Sequence, residues 1–154
     1  MPRDKIGLDN HMLKALAKFI TPFLFGLTLI NVAHGKTCSP KDAEAADAMI
    51  DHLDSWEKVD SAFKRYAQCD DGSIAEGNSE AVARILIDQW NTLSALARLI
   101  KINPPLKRFV LRHIDSTLNT DDLVKIKALA SSSCQKDLTV LCAELKRSAT
   151  DAAK

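Results

Sequence analysis

The 154-residue chain is poor in glycine, proline and aromatic residues, with five glycines, five prolines, five Phe, two Trp and one Tyr. Beyond residue 35 the only glycines are Gly72 and Gly77, and the only prolines are Pro40, Pro104 and Pro105. Glycine and proline are the residues that most often mark turns and loops. Their scarcity, with each later proline at the start of a candidate helix, favours an all-α fold.

The sequence also lacks a hydrophobic run long enough to cross a membrane. Its longest apolar run, residues 19–33, has 15 residues and includes five that interrupt it: Thr21, Pro22, Gly26, Thr28 and Asn31. A spanning helix needs about 20 predominantly apolar residues. No second run of this kind follows, so we expect no stable membrane span once the segment is removed.

The N-terminal segment has the layout of a secretory signal peptide. Four basic residues (Arg3, Lys5, Lys14 and Lys18) come before or at the start of the apolar run, and Ala33-His34-Gly35 closes it with small residues. A positive n-region, a short apolar h-region and a small-residue cleavage site define such signals. We expect cleavage near Gly35, which assigns residues 36–154 to a single helical domain in the periplasm or outside the cell. An uncleaved membrane anchor is the alternative.

Neither sign of charge is in large excess. Residues 1–35 hold four of the 21 Lys and Arg and two of the 20 Asp and Glu, which leaves 17 basic and 18 acidic residues in 36–154. Nucleic-acid binding depends on neutralising many phosphates with basic side chains. The near-neutral balance therefore argues against a nucleic-acid partner.

All four cysteines, Cys38, Cys69, Cys134 and Cys142, lie beyond residue 35, and none belongs to a tight C-x₂-C pair. Such a pair is typical of zinc sites, whereas an even number of cysteines in an exported chain is typical of disulfides. We therefore predict two disulfides and no metal site. A catalytic thiol would leave one cysteine without a partner.

The pairing depends on where the first helix ends. One helix over residues 41–68 would be about 42 Å long and would hold Cys38 far from Cys69. A turn near Asp54 would bring the two within the roughly 7 Å between Cα atoms that a bridge requires. We favour Cys38–Cys69 with Cys134–Cys142, while pairings between the early and late cysteines stay open.

Apolar residues at helical spacing predict five or six short helices in one compact domain. Ser39-Pro40 and Asn103-Pro104 each resemble an N-cap followed by proline in the first turn, and Asp54 with Glu57 resembles a capping box. The polar segment 70–79 is predicted to be a loop, followed by one long central helix that ends at Asn103. A second polar loop is predicted at residues 131–133.

The segment Cys69–Gly77 (CDDGSIAEG) is the first candidate functional surface. It contains three acids and two glycines: Asp70, Asp71, Gly72, Glu76 and Gly77. The order of these residues does not match a calcium-binding loop, which has glycine at its sixth position and glutamate at its twelfth. The segment is either a plain turn before a helix, whose first turn favours acids, or a partner-binding loop held rigid by a bridge.

A basic cluster, Lys101, Lys107, Arg108 and Arg112, surrounds the Asn103-Pro104-Pro105 turn and is the second candidate. Because Arg108 and Arg112 are four residues apart, they share one helix face. The cluster could contact an acidic partner or lipid headgroups. Alternatively it is a solvated face in which Asp115 pairs with Arg112.

His113 lies on an apolar stripe between Phe109 and Leu118, so we expect it to be a partly buried structural residue. Asp115 and Ser116 do not complete a catalytic triad with it, because adjacent residues on one helix point apart, and the chain has no nucleophile-elbow motif. No catalytic residue, cofactor or metal ligand is predicted. A small hydrolase that uses carboxylates and a carrier of small ligands remain alternatives.

The stretches CDDGSIAEG, SEAVARIL and FVLRHIDSTLNTDDL resemble a group of uncharacterised small exported helical proteins of Gram-negative bacteria. The resemblance covers about residues 38–142. It implies a periplasmic location and brings no catalytic role with it. The leading hypothesis is an exported, non-catalytic protein-binding module, acting as an inhibitor or immunity factor against a cell-wall-degrading enzyme.

Overall fold

The computed structural model describes residues 36–154, so the predicted signal peptide lies outside the described residues. These residues form seven α-helices and contain no β-strand, which confirms the all-α class and corrects the expected count of five to six helices. The helices are α1 (Pro40–Ile50), α2 (Trp56–Tyr66), α3 (Gly72–Asp88), α4 (Leu93–Ile102), α5 (Pro105–Arg112), α6 (Thr120–Ser132) and α7 (Thr139–Ala152).

The predicted turn near Asp54 is present between α1 and α2. The hydroxyl of Ser39 accepts from the backbone N–H of Asp42, as expected for the cap of α1, and Pro40 follows it. The cap of α2 is Ser55, which accepts from the N–H of Lys58. Asp54, which we predicted for that role, instead pairs with the Lys58 ammonium group at 2.7 Å.

The predicted long central helix is divided into α3 and α4, and this accounts for the seventh helix. Gln89 has a non-helical backbone, and residues Trp90–Thr92 form a short 3₁₀ turn. Two indole N–H groups stabilise the break. Trp90 donates to the Ser133 carbonyl at 2.9 Å, and Trp56 donates to the Thr92 hydroxyl at 3.0 Å.

Both predicted polar loops are largely helical. α3 already begins at Gly72, and Asp71 accepts from the Gly72 N–H at 2.8 Å. α6 continues through Ser132, because the hydroxyls of Ser131 and Ser132 donate to carbonyls four residues back and so keep their polar groups within the helix. Asn103, predicted to cap α5, ends α4 instead and donates its amide to Asp60 at 2.7 Å.

The core forms where α2 to α7 converge, and α1 adds only Ala46 to the buried side chains. α6 and α7 pack against each other, α1 packs on α2 and α3, and α5 lies between α4 and α7. The largest fully buried side chains of the last five helices are Ile85, Leu86, Leu93, Leu96, Leu106, Ile126 and Leu145. These residues follow the helical stripes that the sequence predicts.

Two disulfides join the pairs that the sequence favours. Cys38–Cys69 links the residue before the cap of α1 to the turn after α2, with Cα atoms 4.8 Å apart. Cys134–Cys142 links the loop after α6 to the first turn of α7, with Cα atoms 6.1 Å apart. None of the helices in residues 36–154 combines the length and the hydropathy needed to cross a membrane.

Candidate functional site

A buried polar cluster joins the start of α3 to the turn after α5. The ring of His113 is 2% exposed, and its Nε2 lies 3.1 Å from Oδ2 of Asp70. Its Nδ1 lies 2.9 Å from the hydroxyl of Ser79, which is 1% exposed. The same hydroxyl is 2.9 Å from Oδ2 of Asp115. A chain of hydrogen bonds therefore links two carboxylates through one imidazole and one hydroxyl.

Asp70 has two further donors. The amide of Asn78 donates to Oδ1 at 2.9 Å, and the guanidinium group of Arg112 donates to Oδ2. Burial raises the pKa of the Asp70 carboxyl, but the hydrogen bonds from His113 and Asn78, with the charges of His113 and Arg112, outweigh it. The pKa of Asp70 consequently lies below its ordinary value.

Asp115 belongs to the same cluster but is partly open to solvent. Burial raises the pKa of Asp115. Hydrogen bonds from the Thr117 hydroxyl, the Thr117 backbone N–H and the Ser79 hydroxyl lower it by more, so the pKa lies below its ordinary value. Asp115 does not pair with Arg112 as the sequence suggested, because Arg112 pairs with Asp70.

The order Ser79–His113–Asp70 resembles the nucleophile, base and carboxylate of a hydrolase. A nucleophile must reach a substrate, however, and the Ser79 side chain is enclosed, with its hydroxyl oxygen also 3.1 Å from the Ala75 carbonyl oxygen. The cavity lined by Asp70 and Asn78 holds about 10 Å³, room for at most one water. Within residues 36–154 this geometry suits a structural link between segments better than a reaction centre.

Ser79 was not among the predicted site residues. Its partners, His113 and Asp115, lie 34 and 36 residues further along the chain. The one local signal is that Ser79 occupies the same helix face as Val82 and Leu86, where an apolar residue is usual. A hydroxyl on such a face requires a polar partner from another segment.

The other residues of the acidic segment have separate positions. Asp71 is the exposed cap of α3, and Glu76 is exposed on its surface. Gly72 has φ of +52°, a left-handed value that glycine adopts without strain. Gly77 faces α1, where an added Cβ atom would lie 2.6 Å from Cδ1 of Ile50. The glycines therefore serve the backbone and the helix packing.

The residues of the basic cluster line two separate surface depressions. Arg108 and Arg112 border a small depression of about 140 Å³ beside Phe63 and Phe109. Lys107 pairs with Glu144 of α7 at 2.8 Å and lines a larger groove together with Lys101.

This larger groove, which we call the α4–α7 groove, has a volume of about 510 Å³ and is open to solvent. Six of its lining side chains are small or apolar and five are charged, and we refer to the charged side chains on each wall as its rims. It is lined by Ser94, Ala97, Arg98, Ile100 and Lys101 of α4, Lys107 of α5, Asp137 and Leu138 before α7, and Val140, Leu141 and Glu144 of α7. Val140 is 72% exposed and is the most exposed large apolar side chain that lines the groove.

Residues 36–154 contain no group of three or more His, Cys, Asp or Glu side chains placed to hold a metal ion. No family model, curated protein or solved structure matches the chain.

Proposed function

We propose that the chain is an exported, non-catalytic protein-binding module that acts as an inhibitor or immunity factor for another protein. The α4–α7 groove carries this proposal, since it combines an apolar lining with charged rims and an exposed Val140. Protein-binding surfaces typically have an apolar centre and a polar rim. Disulfides persist in oxidising compartments, and the two bridges support the expected export to the periplasm.

The two alternative functions have weaker support. A hydrolase needs an accessible acid, base or nucleophile, whereas the Ser79–His113–Asp70 set is enclosed. A small-ligand carrier usually buries 70–90% of its ligand in a cavity. The groove is a wide surface channel, and the cavity beside Asp70 is much smaller than such a ligand. A protein partner suits an open groove of this kind best.

The proposal is tested by substituting one exposed valine in the groove and another outside it. Val140→Asp places a charge on the groove, while Val124→Asp places the same charge on α6, where Val124 is 57% exposed and does not line the groove. The wild-type protein and Val124→Asp should each retain a stoichiometric partner from periplasmic extract after cross-linking. Val140→Asp should lose it, at least about tenfold in yield, because a buried charge without a partner is costly.

Equal retention by Val140→Asp and wild type would contradict the proposal, and so would recovery of no stoichiometric partner. For the inhibitor role, the recovered partner should lose activity on purified peptidoglycan when the wild-type protein is added in equal amount. The contacts predicted for Asp71, Glu76 and Arg108 stay predictions, and Glu76→Lys in the same assay addresses the acidic segment.

A further inference from the structure

The shape of the α4–α7 groove indicates what kind of segment it accepts. On one wall its lining residues run from Ser94 to Lys101, and on the other from Asp137 to Glu144, so the first and last residues of each wall are seven positions apart. At 1.5 Å per residue this is about 10 Å along a helix. The groove therefore matches about two turns of a helical segment, which would place apolar side chains at positions i, i+4 and i+7.

The charges along the rims are not balanced. Lys107 is paired with Glu144, whereas Arg98 and Lys101 form no ion pair within residues 36–154. These two cations are three residues apart on α4, so they lie on the same face of that helix. On the opposite wall only Asp137 is without an ion-pair partner in the same range. The α4 rim thus presents two unpaired positive charges beside an apolar lining.

We infer that the groove binds an acidic amphipathic helix of the partner protein. Its apolar face would pack on Ala97, Leu138, Val140 and Leu141, and its carboxylates would lie against Arg98 and Lys101. Complementary charge gives such contacts their specificity and their rate of association. This inference rests on the proposed function, because it names the chemistry of the segment that occupies the same site.

The test uses two stapled helical peptides of about 14 residues, a length at which an unstapled helix is only marginally stable. Both carry leucine at i, i+4 and i+7. One has two glutamates on the flank that would face α4, and the other has lysines there. Binding is measured by fluorescence anisotropy, at low and high salt, with protein purified after expression of the full chain. The acidic peptide should bind about tenfold more tightly at low salt, and this preference should shrink as salt screens the charges.

One double charge reversal tests whether the α4 rim causes the preference for the acidic peptide, and a second one serves as its control. Arg98→Glu/Lys101→Glu should reverse the preference toward the lysine peptide. The matched control, Lys127→Glu/Lys146→Glu, changes two exposed lysines that do not line the groove and should keep the wild-type preference. Dodecanoate, an apolar carboxylate without a helix, is the third probe and should bind more weakly than the acidic peptide.

The inference is wrong if neither peptide binds, if both bind equally, or if the preference survives Arg98→Glu/Lys101→Glu. Tighter binding of dodecanoate would also overturn it, because the occupant would then be a small amphipathic anion. The Val140→Asp capture experiment separates this failure from failure of the proposed function. If the peptides do not bind with the expected preference but Val140→Asp still loses the captured partner, the groove binds a protein segment of another kind.

Discussion

Asp70 has donors on both carboxylate oxygens although its side chain is only 3% exposed: Asn78 on one, and Arg112 and His113 on the other. These donors come from α3, from α5 and from the turn that follows α5. Hydrogen bonds to a charged group contribute about 1.5–3 kcal/mol each when the group is well enclosed. The carboxylate of Asp70 therefore joins the start of α3 to the end of α5 and the turn after it, 42 and 43 residues further along the chain.

The lowered pKa of Asp70 links this cluster to acid stability. The unfolded chain binds a proton near the ordinary value of 3.8, and the folded protein binds it only at lower pH. The unfolded state therefore holds more protons in this range. The stabilisation is complete above about pH 4 and is lost as the pH falls through the folded-state pKa.

We predict that Asp70→Asn lowers the free energy of unfolding by about 1.5–3 kcal/mol at pH 7, because the donors of His113 and Arg112 lose a charged acceptor. The difference from wild type should shrink at pH 3, below the ordinary value of 3.8, because the unfolded wild-type chain there binds a proton more readily than the folded protein. Urea denaturation at both pH values measures it. Glu76→Gln, on an exposed side chain without a hydrogen bond in residues 36–154, is the control. A difference that stays constant between pH 7 and pH 3 would refute this explanation.

The burial of His113 could be predicted from its place between Phe109 and Leu118, because a helical stripe is a local pattern. Its partners could not be predicted. Contacts between residues 34 to 43 positions apart depend on how the helices pack, and an isolated sequence carries no record of that packing. For the same reason the acidic segment and the basic cluster were treated as separate surfaces, although the Asp70–Arg112 ion pair joins them.

α1 packs against α3 at Gly77. A Cβ atom there would lie 2.6 and 2.7 Å from Cδ1 and Cγ2 of Ile50, closer than carbon atoms normally come. The absence of a side chain at this position therefore lets α1 pack against α3. α1 contributes only one buried side chain, so this contact, the packing on α2 and the Cys38–Cys69 bridge together hold it in place.

We predict that Gly77→Ala destabilises the protein by about 1 kcal/mol. Overpacking costs about 1–3 kcal/mol, and the better helix propensity of alanine offsets about 1 kcal/mol of that. In an Ile50→Ala background the clash is absent, so Gly77→Ala should become neutral or stabilising. A double-mutant cycle by thermal denaturation measures this reversal. Equal effects in both backgrounds would show that Ile50 does not limit the space at Gly77.

A helix end could be predicted where neighbouring residues in the sequence determine it. Ser39-Pro40 marks the start of α1, and its cap hydrogen bond spans three residues. The break between α3 and α4 has no glycine or proline. It depends on indole hydrogen bonds from Trp56 to Thr92 and from Trp90 to Ser133, which join residues 36 and 43 positions apart. The apolar stripe alone therefore suggested one long helix where there are two.

At the scale of the whole molecule, one apolar core and two disulfides hold residues 36–154 together. The bridges close loops of different length, with cysteines 31 residues apart in Cys38–Cys69 and 8 residues apart in Cys134–Cys142. Each pair has one member that is at most 3% exposed, Cys69 or Cys142. The core positions followed from the sequence, because helical stripes are local features. Both pairings were favoured by the sequence, but it left pairings between the early and late cysteines open.

We predict that Cys38→Ala/Cys69→Ala lowers the free energy of unfolding by about 3–4 kcal/mol and Cys134→Ala/Cys142→Ala by about 2–3 kcal/mol, because a longer closed loop restricts the unfolded chain more. Urea denaturation of both double variants, with reduced wild-type protein as the reference for loss of both bridges, measures the two effects. A larger loss from the shorter loop would mean that strain or local packing dominates over chain entropy.

The Cys134–Cys142 bridge, which closes the shorter loop, also affects the groove. Four of the five residues that line one wall of the groove, Asp137, Leu138, Val140 and Leu141, lie between Cys134 and Cys142 and so belong to a closed covalent ring, whereas Glu144 lies beyond it. The bridge thus constrains one wall of the groove covalently and leaves α4, the other wall, to noncovalent packing. Under the proposed function, we expect reduction of Cys134–Cys142 to weaken binding in the groove.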